Sequence, residues 1–172
     1  NTEIDRIGTL AARYGATVIV DQLYSRLLFE GATYTHLRAH PAAENVVTIM
    51  GPSKTESLSG YRLGVAFGPA DIIARMEKLQ AIVSLRAPGY SQAVLRTWFN
   101  EPEGWMVERI RRHQAIRDDL VTLFRQIPGC AVRVPQAGSY LFPSLPALAI
   151  KPADFVKALR LQADVIVTPG TE

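Results

Sequence analysis

Cysteine is almost missing from this sequence. Cys130 is the one thiol among 172 residues, which excludes an internal disulfide and points to a reducing compartment; it sits in the turn Pro128-Gly129-Cys130 and reads as a small packing residue. Lysine is scarce too, with 4 Lys against 15 Arg, and neither sign of charge dominates. The net charge of +3 is spread along the chain, so a nucleic-acid partner is not expected. The densest basic stretch is Arg109, Arg111, Arg112 and His113; it lies in a helical pattern and reads as a solvated or interface face. No apolar run approaches the roughly 20 residues that span a bilayer. No charged segment followed by an apolar one opens the chain, so neither a membrane anchor nor a secretory signal is expected, and the location is read as cytoplasmic. Repeats and low-complexity stretches are also lacking.

What remains is ordinary for a soluble globular protein of one or two domains: 48% hydrophobic and 20% charged residues. The ends are less ordinary. Asn1-Thr2-Glu3-Ile4 reads as a capped helix start, and residues 165–172 read as a strand entering a turn. Neither reads as a natural terminus, so a piece of a longer chain is expected.

Residues 2–14 place Ile4, Ile7, Leu10 and Ala11 on one helical face, and Gly15 follows as a stop. Three short apolar runs then read as buried strands, at 17–20, 46–50 and 63–67. A helix is expected over 70–83, and another over 91–99 after the Pro88-Gly89 break. Pro102-Glu103-Gly104 opens a long helix to about Gln126, with Trp105, Val107, Ile110, Ile116, Leu120 and Leu123 as its candidate buried positions. Strands at 131–134, 139–142 and 165–167 and a helix at 152–162 complete the pattern. The first half has the rhythm of an α/β sheet covered on both faces, and the second reads as α+β. The boundary is expected between 101 and 102.

Chemistry-bearing side chains gather where the first two strands end, the place where open α/β sheets bind ligands. Asp21 follows the first strand, with Tyr24 three residues on. Lys54 lies in the loop Gly51-Pro52-Ser53-Lys54 after the second. Arg62 follows Ser59-Gly60-Tyr61, just before the third. Taken singly, each has an ordinary reading as a turn residue or a solvated charge. Together, a carboxylate, a phenol, an amine and a guanidinium are the groups required by an aldehyde cofactor that carries a phosphate and a pyridine nitrogen. His36 and His40 have i, i+4 spacing, but no third ligand accompanies them and no metal is expected.

The stretches Asp21-Gln22-Leu23-Tyr24 and Ser53-Lys54-Thr55-Glu56-Ser57-Leu58-Ser59-Gly60-Tyr61-Arg62-Leu63-Gly64 resemble the fold-type I, class I/II pyridoxal-phosphate (PLP) aminotransferases. That family carries Asp-x-x-Tyr, then Ser-Lys, then eight residues from Lys to an Arg-x-Gly. Residues 137–143 resemble its small-domain Gly-aromatic strand, and 167–171 its late Pro-Gly turn. The resemblance implies an α/β fold: part of the large PLP-binding domain over 1–101, mainly a parallel sheet with helices on both sides, followed by part of a smaller α+β domain over 102–172.

The resemblance also implies roles. Lys54 would hold the cofactor as an aldimine and then shuttle the substrate proton, with its amine desolvated beside Arg62. Asp21 would keep the pyridine nitrogen protonated, and Tyr24 would donate to the phenolic oxygen. Arg62 would grip the phosphate. Where the family often has a serine three residues before the lysine, this sequence has Gly51; Ser53 or a backbone amide would serve the phosphate instead. The family's Gly-rich phosphate turn, ring-stacking aromatic and active-site Asn are expected before residue 1, and its substrate-carboxylate arginine after residue 172. The loop 84–92, with Arg86 and Tyr90, corresponds to the segment that reaches a neighbour's site in a two-fold dimer.

The implied activity moves an amino group between an amino acid and a 2-oxo acid, in a homodimer. A PLP-dependent lyase or decarboxylase is the second reading, because Asp21 and Lys54 serve either. An aminotransferase-like effector domain of a transcription regulator is the third, and it would need a DNA-binding module upstream.

Overall fold

The computed structural model describes residues 2–171. The expected cap at Asn1 and the last position of the expected terminal turn, Glu172, lie outside them. The helices are α1 (Thr2–Tyr14), α2 (Ala70–Val83), α3 (Gly89–Ala93), α4 (Trp105–Arg125) and α5 (Pro152–Ala163), and the strands are β1 (Val18–Asp21), β2 (Val46–Met50) and β3 (Val65–Phe67). Short 3-10 turns stand at Leu37–Ala39, Ser59–Tyr61 and Val94–Arg96. The helix expected over 91–99 is therefore a single turn, α3, that tightens into one of these.

The sheet runs β1-β2-β3. β1 and β2 are parallel, from Val18 opposite Val46 to Asp21 opposite Ile49. β3 returns antiparallel to β2, pairing Thr48 with Phe67 and Met50 with Val65. Among the described residues the sheet is thus mixed. The reason lies in the connections: a parallel neighbour needs a crossover, whereas the loop 51–64 brings the chain straight back. That loop carries the lysine and the arginine, so the antiparallel return is what places both at one end of β2.

Val46 and Val47 are buried, and Val46 packs with Leu37 and Ala43 against Ile4, Val18 and Val20. Each fully buried side chain of this size stabilises the fold by about 1.5–3 kcal/mol. α1 meets this core through Ile4, while Ile7 and Leu10, expected on the same face, remain more than 40% exposed.

The chain divides into two compact units, one of residues up to Arg117 together with Pro135–Tyr140, the other of Asp118–Val134 together with the residues from Leu141 onward. The division thus runs through α4, because its first three turns are fastened to the first unit. Gln114 Oε1 accepts from the Glu30 amide at 2.8 Å, Arg117 Nη1 donates to Pro135 O at 2.9 Å, and the Arg117 guanidinium lies 4.3 Å from the centroid of the Phe29 ring. This reverses the expected reading of α4. Val107, Ile116, Leu120 and Leu123 are exposed, Trp105 and Ile110 half-buried, and Val121 buried. The inward positions 109, 114 and 117 carry long polar side chains whose stems pack while their heads find partners.

The strands expected at 131–134, 139–142 and 165–167 are not formed among the described residues. In the second unit Ala131 and Ser144 exchange backbone hydrogen bonds at 2.9 and 2.7 Å as an isolated bridge. Pro135, Pro143 and Pro146 supply no N–H for a longer ladder. Val165–Val167 has β-branched residues but no pairing strand among the described residues, and a strand is defined by its neighbour. In the first unit, Phe29 N donates to Gln136 O and Gly138 N to Leu27 O, both at 2.9 Å, which lays the segment around Gly138 along the stretch after β1.

Candidate active site

Asp21 and Lys54 both lie at the carboxyl ends of the parallel pair β1 and β2. Asp21 is exposed, and its Oδ1 accepts from Leu23 N at 3.0 Å, which turns the chain as it leaves the strand. That turn presents Tyr24. The Lys54 Nζ stands 5.9 Å from the centroid of the Tyr24 ring.

The loop that presents Lys54 is folded tightly. Ser57 N donates to Lys54 O at 3.2 Å and Leu58 N to Pro52 O at 3.1 Å. Gly51 is buried where β2 ends, and a β-carbon there would meet Leu63 O at 2.8 Å and Gly64 Cα at 3.2 Å. The position the family often fills with serine is thus closed by the returning backbone, and only a glycine fits. Ser53 is half-buried in the same turn. Arg62 is exposed, adopts a left-handed conformation (φ +51°) and donates through Nη1 to Ser59 O at 3.2 Å, within its own turn. Lys54 is exposed as well, so the desolvation expected of its amine is not observed in this chain.

Tyr24 has neighbours that the sequence did not single out. Its ring meets that of Tyr140 edge-on, with centroids 5.7 Å apart. Burial, with a hydrogen bond that Tyr24 donates to Tyr140 adding to it, pushes the Tyr24 phenol above its ordinary pKa. A phenol is a donor at neutral pH at its ordinary pKa, and the upward shift extends that into more alkaline solution. Gly138 turns the chain there at φ +81°, a conformation that favours glycine.

The lysine loop is also held from α4. Arg109 Nε donates to Thr55 O, and its Nη2 to Ser57 Oγ at 2.5 Å. Arg109 was grouped with a solvated basic face. Arg111 and Arg112 do form such a face, each paired with Glu108 at 2.7 and 2.6 Å, but Arg109 turns inward to the loop. Charge patterning along the helix could not separate the three.

Arg86 and Tyr90 are both 74% exposed. Arg86 meets Glu77 at 3.5 Å, and no hydrogen bond joins Arg86 or Tyr90 to Asp21, Lys54 or Arg62 among the described residues. His36 Nδ1 pairs with Gln22 Oε1 at 2.9 Å and His40 Nδ1 accepts from Ala42 N at 3.1 Å, so the two histidines face different partners.

A carboxylate, a phenol and an exposed amine where β1 and β2 end, with a guanidinium on the lysine's loop, are the kinds of group that the nitrogen, phenolic oxygen, aldehyde and phosphate of pyridoxal phosphate require. The residues present fit that group. The comparisons with known proteins agree. The sequence profile of the family "Aminotransferase class I and II" matches residues 1–172, and the chain belongs to that family, whose members use pyridoxal phosphate. An aspartate aminotransferase of Geobacillus stearothermophilus is 31% identical, over 98% of this chain and 45% of that protein. The crystal structure of an aspartate aminotransferase from Rhodobacter sphaeroides 2.4.1 superposes with a TM-score of 0.96 at 74% identity, covering 99% of this chain and 43% of that one. The aspartate aminotransferase of Rhizobium meliloti superposes at 0.84 with 26% identity, covering 95% and 44%. The chain therefore spans less than half the length of these relatives. It is an α/β piece of the aminotransferase fold with a mixed sheet.

Proposed function

We propose that the protein containing this chain is a PLP-dependent aminotransferase that moves an amino group between an amino acid and a 2-oxo acid, with aspartate as the amino acid by analogy with the relative that is 74% identical. The observation that carries the reading is the Lys54 amine standing beside the Tyr24 ring, at the sheet edge that also presents Asp21. Bound pyridoxal phosphate supplies an electron-withdrawing ring that stabilises the carbanion left when the substrate loses its α-proton.

The chain's own residues then have distinct work. Lys54 would hold the cofactor through Nζ, and the same atom would carry the substrate proton. Asp21 accepts from the protonated pyridine nitrogen, and a charge there favours the protonated ring. Tyr24 would donate from its phenol, which is protonated at neutral pH as tyrosine ordinarily is. Arg62, and Ser53 in the turn, bind phosphate; Gly51 contributes no side chain, so a backbone amide serves in its place.

In this reading residues 1–101 belong to the large domain and 102–172 to the small one, and the working form is a cytoplasmic homodimer. Arg86 or Tyr90 would act at the partner subunit's site, and their exposure in this chain suits that role. Full-length protein purified with its cofactor should transfer the amino group of aspartate to a 2-oxo acid. Release of carbon dioxide without amino transfer would favour the decarboxylase reading instead.

A further inference from the structure

Behind Lys54 lies a group of charges that this chemistry leaves unused. Glu56, two residues after Lys54, points inward, with its side chain 6% exposed. Its Oε1 accepts from Arg26 Nη1 at 2.5 Å and from Trp98 Nε1 at 3.2 Å, and its Oε2 is buried with no hydrogen-bond partner among the described residues. Arg26 in turn stands two residues after Tyr24. It also donates to Glu101, from Nη1 to Oε1 at 2.8 Å and from Nη2 to Oε2 at 3.1 Å, and its guanidinium lies 4.3 Å from the centroid of the Phe99 ring. Glu101 Oε1 accepts from Phe99 N at 3.2 Å, closing the group. A second tie runs alongside: Thr55, buried, donates from Oγ1 to Leu23 O at 3.3 Å.

The two segments that present the site are thus fastened to each other by ties on either side of Tyr24. Thr55 and Glu56, immediately after Lys54, reach Leu23 and Arg26, which flank Tyr24. Taking a carboxylate and a guanidinium out of water is unfavourable, and apolar residues of similar volume often stabilise a fold as well or better. What the charged pair adds is direction. A guanidinium fork fixes angles as well as distance, whereas apolar contact has no preferred orientation. The loop calls for such fixing, because Ser57 turns through a left-handed conformation (φ +58°) that a non-glycine residue adopts only when its surroundings enforce it. Arg26 also spans two carboxylates at once, which a lysine's single charged nitrogen does not do in the same geometry.

We infer that Arg26 and Glu56, steadied by Trp98 and Glu101, are a positioning pair that sets where the Lys54 amine stands against Tyr24. The inference rests on the roles proposed above for Lys54 and Tyr24. Neither Arg26 nor Glu56 touches the cofactor in this account; both act through the loops they join.

The test uses the full-length protein loaded with pyridoxal phosphate. Glu56→Gln keeps the shape and one acceptor, and Arg26→Lys keeps the charge. Arg26→Met with Glu56→Leu replaces the pair by apolar side chains, as a variant expected to fold on packing alone. Three quantities are read: the melting temperature, the pH midpoint of the visible absorbance of the bound cofactor, and kcat with KM. In the single variants the midpoint should move by more than about half a pH unit, because the charges around the lysine nitrogen are displaced. In the same variants kcat should fall about 10-fold or more while KM stays within about twofold, as expected for a misplaced reacting group. The double variant, in which Glu101 also loses its Arg26 partner, should melt no higher than the wild type yet stay folded and keep the displaced midpoint. A folded double variant with the wild-type midpoint and kcat would mean that the pair only fills space, and so would single variants unchanged in both. Borohydride reduction of the wild type separates this from the underlying reading. If Lys54 carries no label, both fall; if it is labelled and the midpoint does not move, only the positioning role falls.

Discussion

The Nζ of Lys54 lies 5.9 Å from the centroid of the Tyr24 ring, although the two residues are thirty positions apart and sit on different loops. The parallel pairing of β1 with β2 brings their carboxyl ends together, and the hydrogen bond from Thr55 to Leu23 closes the gap between the loops that follow. Amine, phenol and the Asp21 carboxylate are thereby presented at one edge, and the first predictions concern these groups.

Lys54→Ala in the full-length protein should abolish amino transfer, because both covalent attachment and proton movement use its Nζ. Borohydride reduction followed by peptide mapping should place the cofactor label on Lys54. A label on Lys78, Lys151 or Lys157 would refute the assignment.

Asp21→Ala should leave the cofactor bound and slow the chemical step, since the pyridine nitrogen loses the carboxylate that favours its protonated form. Single-turnover loss of the substrate α-proton measures this directly. A rate close to wild type would reduce Asp21 to the turn residue that Leu23 N already uses.

Gly51→Ser should not restore a phosphate contact. The new β-carbon would meet the Leu63 carbonyl oxygen, a backbone atom, at 2.8 Å, so the strand end must shift. We expect a loss of about 1–3 kcal/mol of stability in urea denaturation, with cofactor affinity no better than wild type. Tighter binding in a stable variant would show that the returning backbone yields easily.

Arg86 can be tested by mixing. If it acts at the partner subunit's site, a Lys54→Ala chain combined with an Arg86→Ala chain gives a heterodimer with one doubly defective site and one intact site, so activity rises above either parent. No recovery, or a monomer in solution, would end the proposal.

Glu108 provides a pH test outside the site. Hydrogen bonds from Arg111, then from Arg112, lower its pKa from 4.5 to about 2. Because the folded value is depressed, whatever these contacts contribute is present above pH 4.5 and is lost as the pH falls towards about 2. An NMR titration of the Glu108 side chain should find its midpoint near 2 in the wild type and higher in Arg111→Ala.

Much of the candidate site's placement, at the ends of β1 and β2, was legible in the sequence because its signals are local. A β-branched run names a buried strand, the residue after it names a strand end, and Asp-x-x-Tyr and Ser-Lys with a later Arg-x-Gly keep fixed spacing along one chain. β2 was found at its full extent, Val46–Met50, for that reason. What the sequence left open depends on partners that no local pattern names. The direction of β3 followed from a loop that returns without a crossover. The strands expected after residue 130 need neighbours that the described chain does not supply to them. In α4 the apolar residues were expected inward, yet Arg109, Gln114 and Arg117 face the first unit, because long polar side chains can bury their stems once specific acceptors stand opposite. Arg26 and Glu56 did leave a trace, opposite charges at the same offset from Tyr24 and Lys54. Sequence determined which groups this protein brings to the edge of its sheet. Only the tertiary structure decided which of its charges turn inward to hold them there, since an ion pair between distant residues exists only where folding has already brought both out of water.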